Sequence, residues 1–209
     1  MGFVASMTIP AIRDALTRID EAAHRRSVAL VLEAKRKSNT LYFIGNGGSA
    51  AIASHMAADF MKNGQMKAMC FNDGPLVTCI ANDHGYGDVF ARPLQRFARS
   101  EDILFAISSS GESANILEAV GIAKMHNMDV ITLSGFSPDN RLRQQGDVNF
   151  WVDSDRYGVV EVTHHAIVHS ILDAVMARPD TVKSQPERYA PVYPAYEDMW
   201  TREFVYVPY

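Results

Sequence analysis

Five consecutive apolar residues, Ile103 to Ile107, run directly into Ser108-Ser109-Ser110-Gly111-Glu112-Ser113, and helical spacing resumes from Asn115 to His126. An apolar run of this length, bounded by turn residues, reads as a buried strand. In the segment that follows, Ile116, Leu117, Val120 and Ile122 fall on one side of a helix. A hydroxyl-rich turn therefore joins the end of a strand to the start of a helix. Unpaired amide N–H groups and the positive end of the helix dipole converge at such a point. One serine is enough to cap a helix. Four within six residues, Ser108, Ser109, Ser110 and Ser113, make a socket for a phosphate group.

The rest of the chain repeats this alternation. Thr8 to Arg36 reads as a long N-terminal helix, with Thr8 as cap, Pro10 in its first turn, and Ile12, Leu16, Ile19, Ala23, Leu30 and Val31 interleaved with charges. Leu41 to Ile44 reads as a strand, then a Gly-rich turn and a helix from Ser49 to Met61. Lys67 to Phe71 reads as a strand, Leu76 to Ile80 as a short apolar segment, and Asp88 to Arg99 as a helix. Asp129 to Leu133 and Val148 to Val152 are further strands, and Val159 to Met176 is the last helix. Strands alternating with helices imply parallel pairing, so the expected fold is a three-layer α/β/α sandwich around a mainly parallel sheet. The expected boundaries are one domain over residues 1–177 and an extension over 178–209. Pro179, Pro186, Pro191, Pro194 and Pro208 exclude regular structure from that extension. Its tyrosines, with Trp200 and Phe204, suit an extended arm packed on its own or a neighbouring subunit.

Composition excludes several classes. The 209 residues are 47% hydrophobic and carry a net charge of −4, which suits a globular domain and gives no basic excess for nucleic acid. No apolar run approaches the roughly 20 residues of a membrane span. Cys70 and Cys79, both in apolar segments, argue against a disulfide framework and for the cytoplasm. The first six residues fit the short myristoylation pattern, a match that arises readily by chance.

A second turn between strand and helix is Gly45-Asn46-Gly47-Gly48-Ser49-Ala50. It can be written G-x-G-x-x-A, but a dinucleotide site wants an acidic residue about 20 positions on. Asp59 comes too early and Asp73 too late. The better reading is a turn that presents backbone amides and the Asn46 and Ser49 side chains to a polar ligand. Four-residue spacing puts His55 and Asp59 on one helix face, and Glu161, His165 and His169 on a face of the last helix, with His164 one step round. Alone, such pairs are usually surface or capping contacts. Together, His55, Asp59, Glu161 and His169 offer two imidazoles and two carboxylates, a set suited to one zinc or another divalent ion per chain.

Three motifs in order carry a family resemblance: the Gly45 to Ala50 turn followed by His55, Ala81-Asn82-Asp83-x-Gly85-Tyr86, and Ile107 to Ser113 with Asn115. Over about residues 9–177 the chain resembles the SIS (sugar isomerase) domain, and within it the phosphoheptose isomerases. The resemblance implies a flavodoxin-like fold and a homotetramer built partly by the N-terminal helix. It also implies an isomerase converting sedoheptulose 7-phosphate to D-glycero-D-manno-heptose 7-phosphate. It assigns sugar-phosphate binding to the two turns (Asn46, Gly47, Gly48, Ser49 and Ser108, Ser109, Ser110, Ser113) and to Asn82 and Asp83. It makes His55 a zinc ligand, Asp59 an acid/base and ligand, and His169 a ligand and second acid/base.

The sequence departs from that family at the site. Asp59 replaces the usual Glu, Glu161 replaces Gln, and Gly158-Val159-Val160-Glu161-Val162 replaces an acidic residue followed by Arg-Ile-Gln-Glu. The residues still permit aldose–ketose isomerisation through an enediolate, with a carboxylate (Asp59 or Glu161) and His169 moving protons. Two alternatives fit the same motifs: an isomerase or epimerase for another sugar phosphate, and a non-catalytic SIS binding module. A paralogue of the second kind lacks the groups matching Asp59 and His169, which this chain keeps.

Overall fold

The computed structural model describes residues 5–177; the first four residues, and the extension from residue 178 read as an arm, lie outside the described residues. The elements in order are α1 (Ala5–Leu16), α2 (Glu21–Lys37), β1 (Thr40–Gly45), α3 (Gly48–Lys62), β2 (Lys67–Cys70) and α4 (Gly74–His84). A 3-10 turn (Tyr86–Asp88) precedes α5 (Ala91–Phe97), β3 (Ile103–Ser108), α6 (Ala114–Met125), β4 (Asp129–Ser134), β5 (Val148–Trp151) and α7 (Tyr157–Met176). Among the described residues, no helix is long and apolar enough to cross a membrane.

All five strands are parallel, in the order β2-β1-β3-β4-β5. This is the flavodoxin-like order. The register sets Phe43 opposite Phe105 and Gly45 opposite Ile107, so β1 and β3 end side by side. Successive residues face opposite sides, as the strand period requires. Leu41, Phe43, Ile103, Phe105 and Ile107 pack against α2, α3 and α7. Tyr42, Ile44, Leu104, Ala106 and Val130 pack against α5 and α6. The rings of Phe43 and Phe105 stack at 4.6 Å. A sheet covered on both faces explains why β1 and β3 read as continuous apolar runs rather than alternating ones.

The expected single N-terminal helix is two helices. Thr17 to Asp20 break it, and Asp20 caps α2 by accepting from the amides of Ala22 and Ala23 at 2.8 and 3.0 Å. Pro10 lies inside α1 rather than in a first turn at Thr8. Ile12 packs on Val152, Val159 and Val160 of the same chain, and Ile19 and Ala23 on its main core, each partly buried there. Met7, Ile9 and Leu16 are the large hydrophobic residues of α1 that are exposed. The short apolar segment at Leu76 to Ile80 belongs to α4, capped by Asp73 with Pro75 in its first turn. The helix read over Asp88 to Arg99 is confined to Ala91–Phe97.

One buried carboxylate ties the entrance of the sheet together. Asp102, just before β3, accepts from the Thr40 amide through Oδ1 and from the Arg99 amide through Oδ2, both at 2.8 Å. Replacing it with alanine orphans both donors, each at about 1–3 kcal/mol. Asp102→Ala is expected to lower stability by about 3 kcal/mol, and Asp102→Asn by less, since an amide oxygen still accepts one of the bonds. Urea unfolding would read this as a lower midpoint with an unchanged slope; equal midpoints for Asp102→Ala and the parent would refute it.

Candidate active site

Because β1 sends its chain to β2 and β3 sends its chain to β4, the order of the sheet reverses between these two strands. In open α/β sheets the crevice at the carboxyl ends of such strands is where ligands bind. Here both turns singled out in the sequence open at that crevice, around a cavity of about 290 Å³. Asn46, Gly47, Gly48 and Ser49 line one side, and Ser108, Ser109, Ser110 and Ser113 the other.

The turns are clamped to each other by their amides. Asn46 Nδ2 donates to Asn115 Oδ1 at 2.9 Å, and Asn115 Nδ2 donates back to Asn46 Oδ1 at 2.8 Å. The Tyr86 hydroxyl adds a donation to Asn46 Oδ1 at 3.0 Å. Asn46 therefore spends its amide on the frame of the site as well as lining it. Neither Asn115 nor Tyr86 was assigned this role from the sequence, although both stand inside the motifs.

The serine turn brings several hydroxyls to the start of α6. Ser113 stands at the N-cap of α6, yet its hydroxyl makes no capping bond and instead shares one with Ser108 Oγ at 3.1 Å. Amides in the first turn of a helix have no acceptor one turn back, which gives the start of α6, beside the cavity, a partial positive charge. Ser110 Oγ accepts from the Glu112 amide at 3.2 Å, which leaves its own proton to donate. Ser109 Oγ is buried and has no hydrogen-bond partner. Gly111 holds the bend at φ +67°, where a Cβ would strike the Asn140 side chain.

A carboxylate stands beside the N-terminus of α3. The Glu161 carboxylate lies over Gly48, so close that a Cβ there would collide with it. A negative group at this helix end is favourable. Among the described residues no hydrogen bond or ion pair engages Glu161. Two N-termini thus open at one crevice, with a carboxylate over one and hydroxyls around the other.

The candidate metal and acid/base groups follow along the same groove, where α3 and α7 pack together. His165 and His169 lie one and two turns beyond Glu161, at about 6 Å per step. The rings of His55, His165 and His169 have centroids 4.8–5.3 Å apart. One ligand nitrogen from each lies within 4.8 Å of the others. His55 Nδ1 is 2.9 Å from His165 Nε2, while His55 Nε2 is 3.3 Å from Asp59 Oδ2. Asp59 Oδ2 is also 4.0 Å from His169 Nδ1. Burial, then the neighbouring imidazoles of His169 and His55, push the His165 pKa down. The converging nitrogens differ from the set expected from the sequence, because His165 stands among them and the Glu161 carboxylate stands over Gly48.

Three imidazoles with a carboxylate beside them fit a first-row divalent ion. Zinc–nitrogen bonds of 2.0–2.1 Å separate tetrahedral ligands by about 3.3 Å, so small ring movements would suffice. His164, by contrast, is fully buried, with Nε2 on the Ser134 carbonyl at 3.0 Å. Burial lowers its pKa to about 4, so it packs as a neutral ring. Asn82 and Asp83 lie exposed on α4, hydrogen-bonded to each other at 2.8 Å, and do not line the cavity of their own chain.

Comparison with known proteins agrees with this geometry. A family model described as "SIS domain" matches residues 8–135. The phosphoheptose isomerase of Thiobacillus denitrificans is 34% identical over 171 residues, covering 78% of this chain and 84% of that protein. That of Helicobacter pylori strain P12 is 31% identical over 171 residues, covering 79% and 88%. The solved phosphoheptose isomerase of Neisseria gonorrhoeae superposes with a TM-score of 0.74 at 30% identity, covering 81% of this chain and 93% of that one. With a serine-lined turn at the switch point and a histidine cluster beside it, the chain belongs to the SIS-domain family, among the phosphoheptose isomerases.

Proposed function

We propose that the protein is an aldose–ketose isomerase converting sedoheptulose 7-phosphate to D-glycero-D-manno-heptose 7-phosphate. The observation that carries this reading is one crevice holding both an anion socket and an unpaired carboxylate. The phosphate occupies the α6 N-terminus, where hydroxyls and amides converge, because Glu161 already covers the α3 N-terminus. Anchored there, the open-chain sugar extends along the groove between α3 and α7, and its orientation is set before reaction.

Glu161 is the carboxylate free to act as base, since Asp59 is engaged by His55 and His169. It takes a proton from the hydroxymethyl carbon beside the ketone. The C–H electron pair becomes the C=C bond of the enediolate, and the carbonyl pair moves onto oxygen. Glu161 then returns its proton to the former carbonyl carbon. The hydroxyl proton of the first carbon leaves as the aldehyde forms, and Asp59 with His169 serves these oxygens. A divalent ion, one zinc per chain held in the histidine cluster, would supply positive charge for the enediolate oxygens.

Turnover in D₂O, followed by NMR, is expected to yield the aldose with deuterium on the carbon beside its aldehyde. Absence of aldose from zinc-loaded protein, with conversion of another sugar phosphate from a panel, would overturn the substrate assignment. Glu161→Gln is expected to lower kcat by about 10²–10⁴-fold. Unchanged kcat in that variant would remove Glu161 from the proton transfer.

Ser110→Ala and Ser113→Ala each remove a bond to a dianion, worth about 1.5–3 kcal/mol. Sugar-phosphate binding should weaken at least tenfold in each, with thermal unfolding little changed; equal affinity in both would refute the socket.

We place the reaction in the cytoplasm, in keeping with two free cysteines, Cys70 and Cys79. The working assembly is a homotetramer with sites near subunit boundaries. Support comes from Met7 and Ile9, 70% and 67% exposed on α1, and from α4, which buries no residue fully. A neighbour covering α4 would bring Asn82 and Asp83 out of solvent. Light scattering at micromolar concentration should give four times the chain mass of 23.2 kDa, and a monomer mass would contradict it.

A further inference from the structure

We propose that His165 is a metal ligand, so that this chain holds its divalent ion with three imidazoles, from His55, His165 and His169. This inference rests on the reading that the groove is an isomerase site with a resident divalent ion, and it reassigns the side chains that hold that ion. The resemblance supplies the ion with His55, His169 and the residues at positions 59 and 161, and gives His165 no role.

The geometry favours His165 over Glu161 on three counts. First, the nitrogens of His55, His165 and His169 converge to within 4.8 Å. Second, the Glu161 carboxylate lies over Gly48 one helical turn away from the converging nitrogens, where the α3 dipole favours it. Third, the two nitrogens of His55 are already divided. Nδ1 faces His165 at 2.9 Å, and Nε2 faces Asp59 Oδ2 at 3.3 Å. A ligating histidine commonly gives its other N–H to a carboxylate, which fixes the ring and strengthens it as a donor. Asp59, one methylene shorter than glutamate, stands where that second contact is made.

The arrangement has a chemical consequence. Three neutral imidazoles leave the ion its full charge, whereas carboxylate ligands would offset it. Held so, the ion would offer that charge to the enediolate oxygens. Glu161 stays outside the ligand set, free to carry the carbon-bound proton.

Cobalt(II) and zinc, added to the full-length protein, test the assignment. Unsubstituted protein loaded with cobalt should show three sets of paramagnetically shifted imidazole signals by NMR, and two sets would overturn the proposal. His165→Cys should gain a near-ultraviolet thiolate-to-cobalt charge-transfer band that the parent, with Cys70 and Cys79 outside the cluster, lacks; a folded variant without the band would overturn it. In chelator competition, His165→Ala should bind zinc at least tenfold more weakly, and Glu161→Gln as tightly as the parent. The reverse order would restore the position-161 side chain as the ligand. Circular dichroism of metal-free variants checks folding, and the NMR count needs no variant. Turnover of sedoheptulose 7-phosphate is measured separately, so loss of the ligand assignment would leave the isomerase reading standing.

Discussion

The candidate site depends on the reversal of winding between β1 and β3. Each parallel connection is a right-handed crossover, so strands leading in opposite directions place their helices on opposite faces of the sheet. α3 accordingly packs with the Phe43 and Phe105 side, and α6 with the Tyr42 and Leu104 side. Both helices nonetheless begin at the same edge, because their parent strands are neighbours. The two N-termini can therefore act on one ligand without packing against each other. What holds their loops in register is the Asn46–Asn115 pair, where each amide satisfies the donor and acceptor of the other. Apolar side chains could fill the same gap, but they would not fix the angle between the loops.

Much of this frame was legible in the sequence because the signals are local. The five strands stand where apolar runs placed them, since a strand covered on both faces needs apolar residues throughout. The two turns were legible because glycine and serine at strand–helix junctions have few other uses. The break between α1 and α2 was missed for a physical reason: Arg18 and Ile19 suit a helix, and only Asp20 followed by Glu21 marks a new start. α4 was missed in the same way. Its start is signalled by Asp73 and Pro75, but the apolar run inside it is too short to show a period.

The candidate site was legible in its parts and not in its assembly. Four-residue spacing puts His165 on the same face as Glu161 and His169, but spacing says nothing of which side chains meet residues on another helix. That depends on how α3 crosses α7, and the crossing sets His55 beside His165 while leaving Glu161 to reach Gly48. The clamp by Tyr86 is another such case. Its hydroxyl acts on Asn46 across 40 residues, through a 3-10 turn that no periodic pattern announces.

The distribution of charge explains how the groove tolerates an added acidic residue. A phosphate dianion, Asp59 and Glu161 in one crevice would repel one another strongly if they shared a single centre. They do not share one. In the proposed arrangement each negative group has its own compensating partner: the hydroxyls and the α6 N-terminus for the phosphate, the α3 N-terminus for Glu161, and the imidazoles of His55 and His169 for Asp59. Relative to a neutral glutamine at position 161, the extra charge is set against a helix dipole that the backbone provides whatever the side chains are.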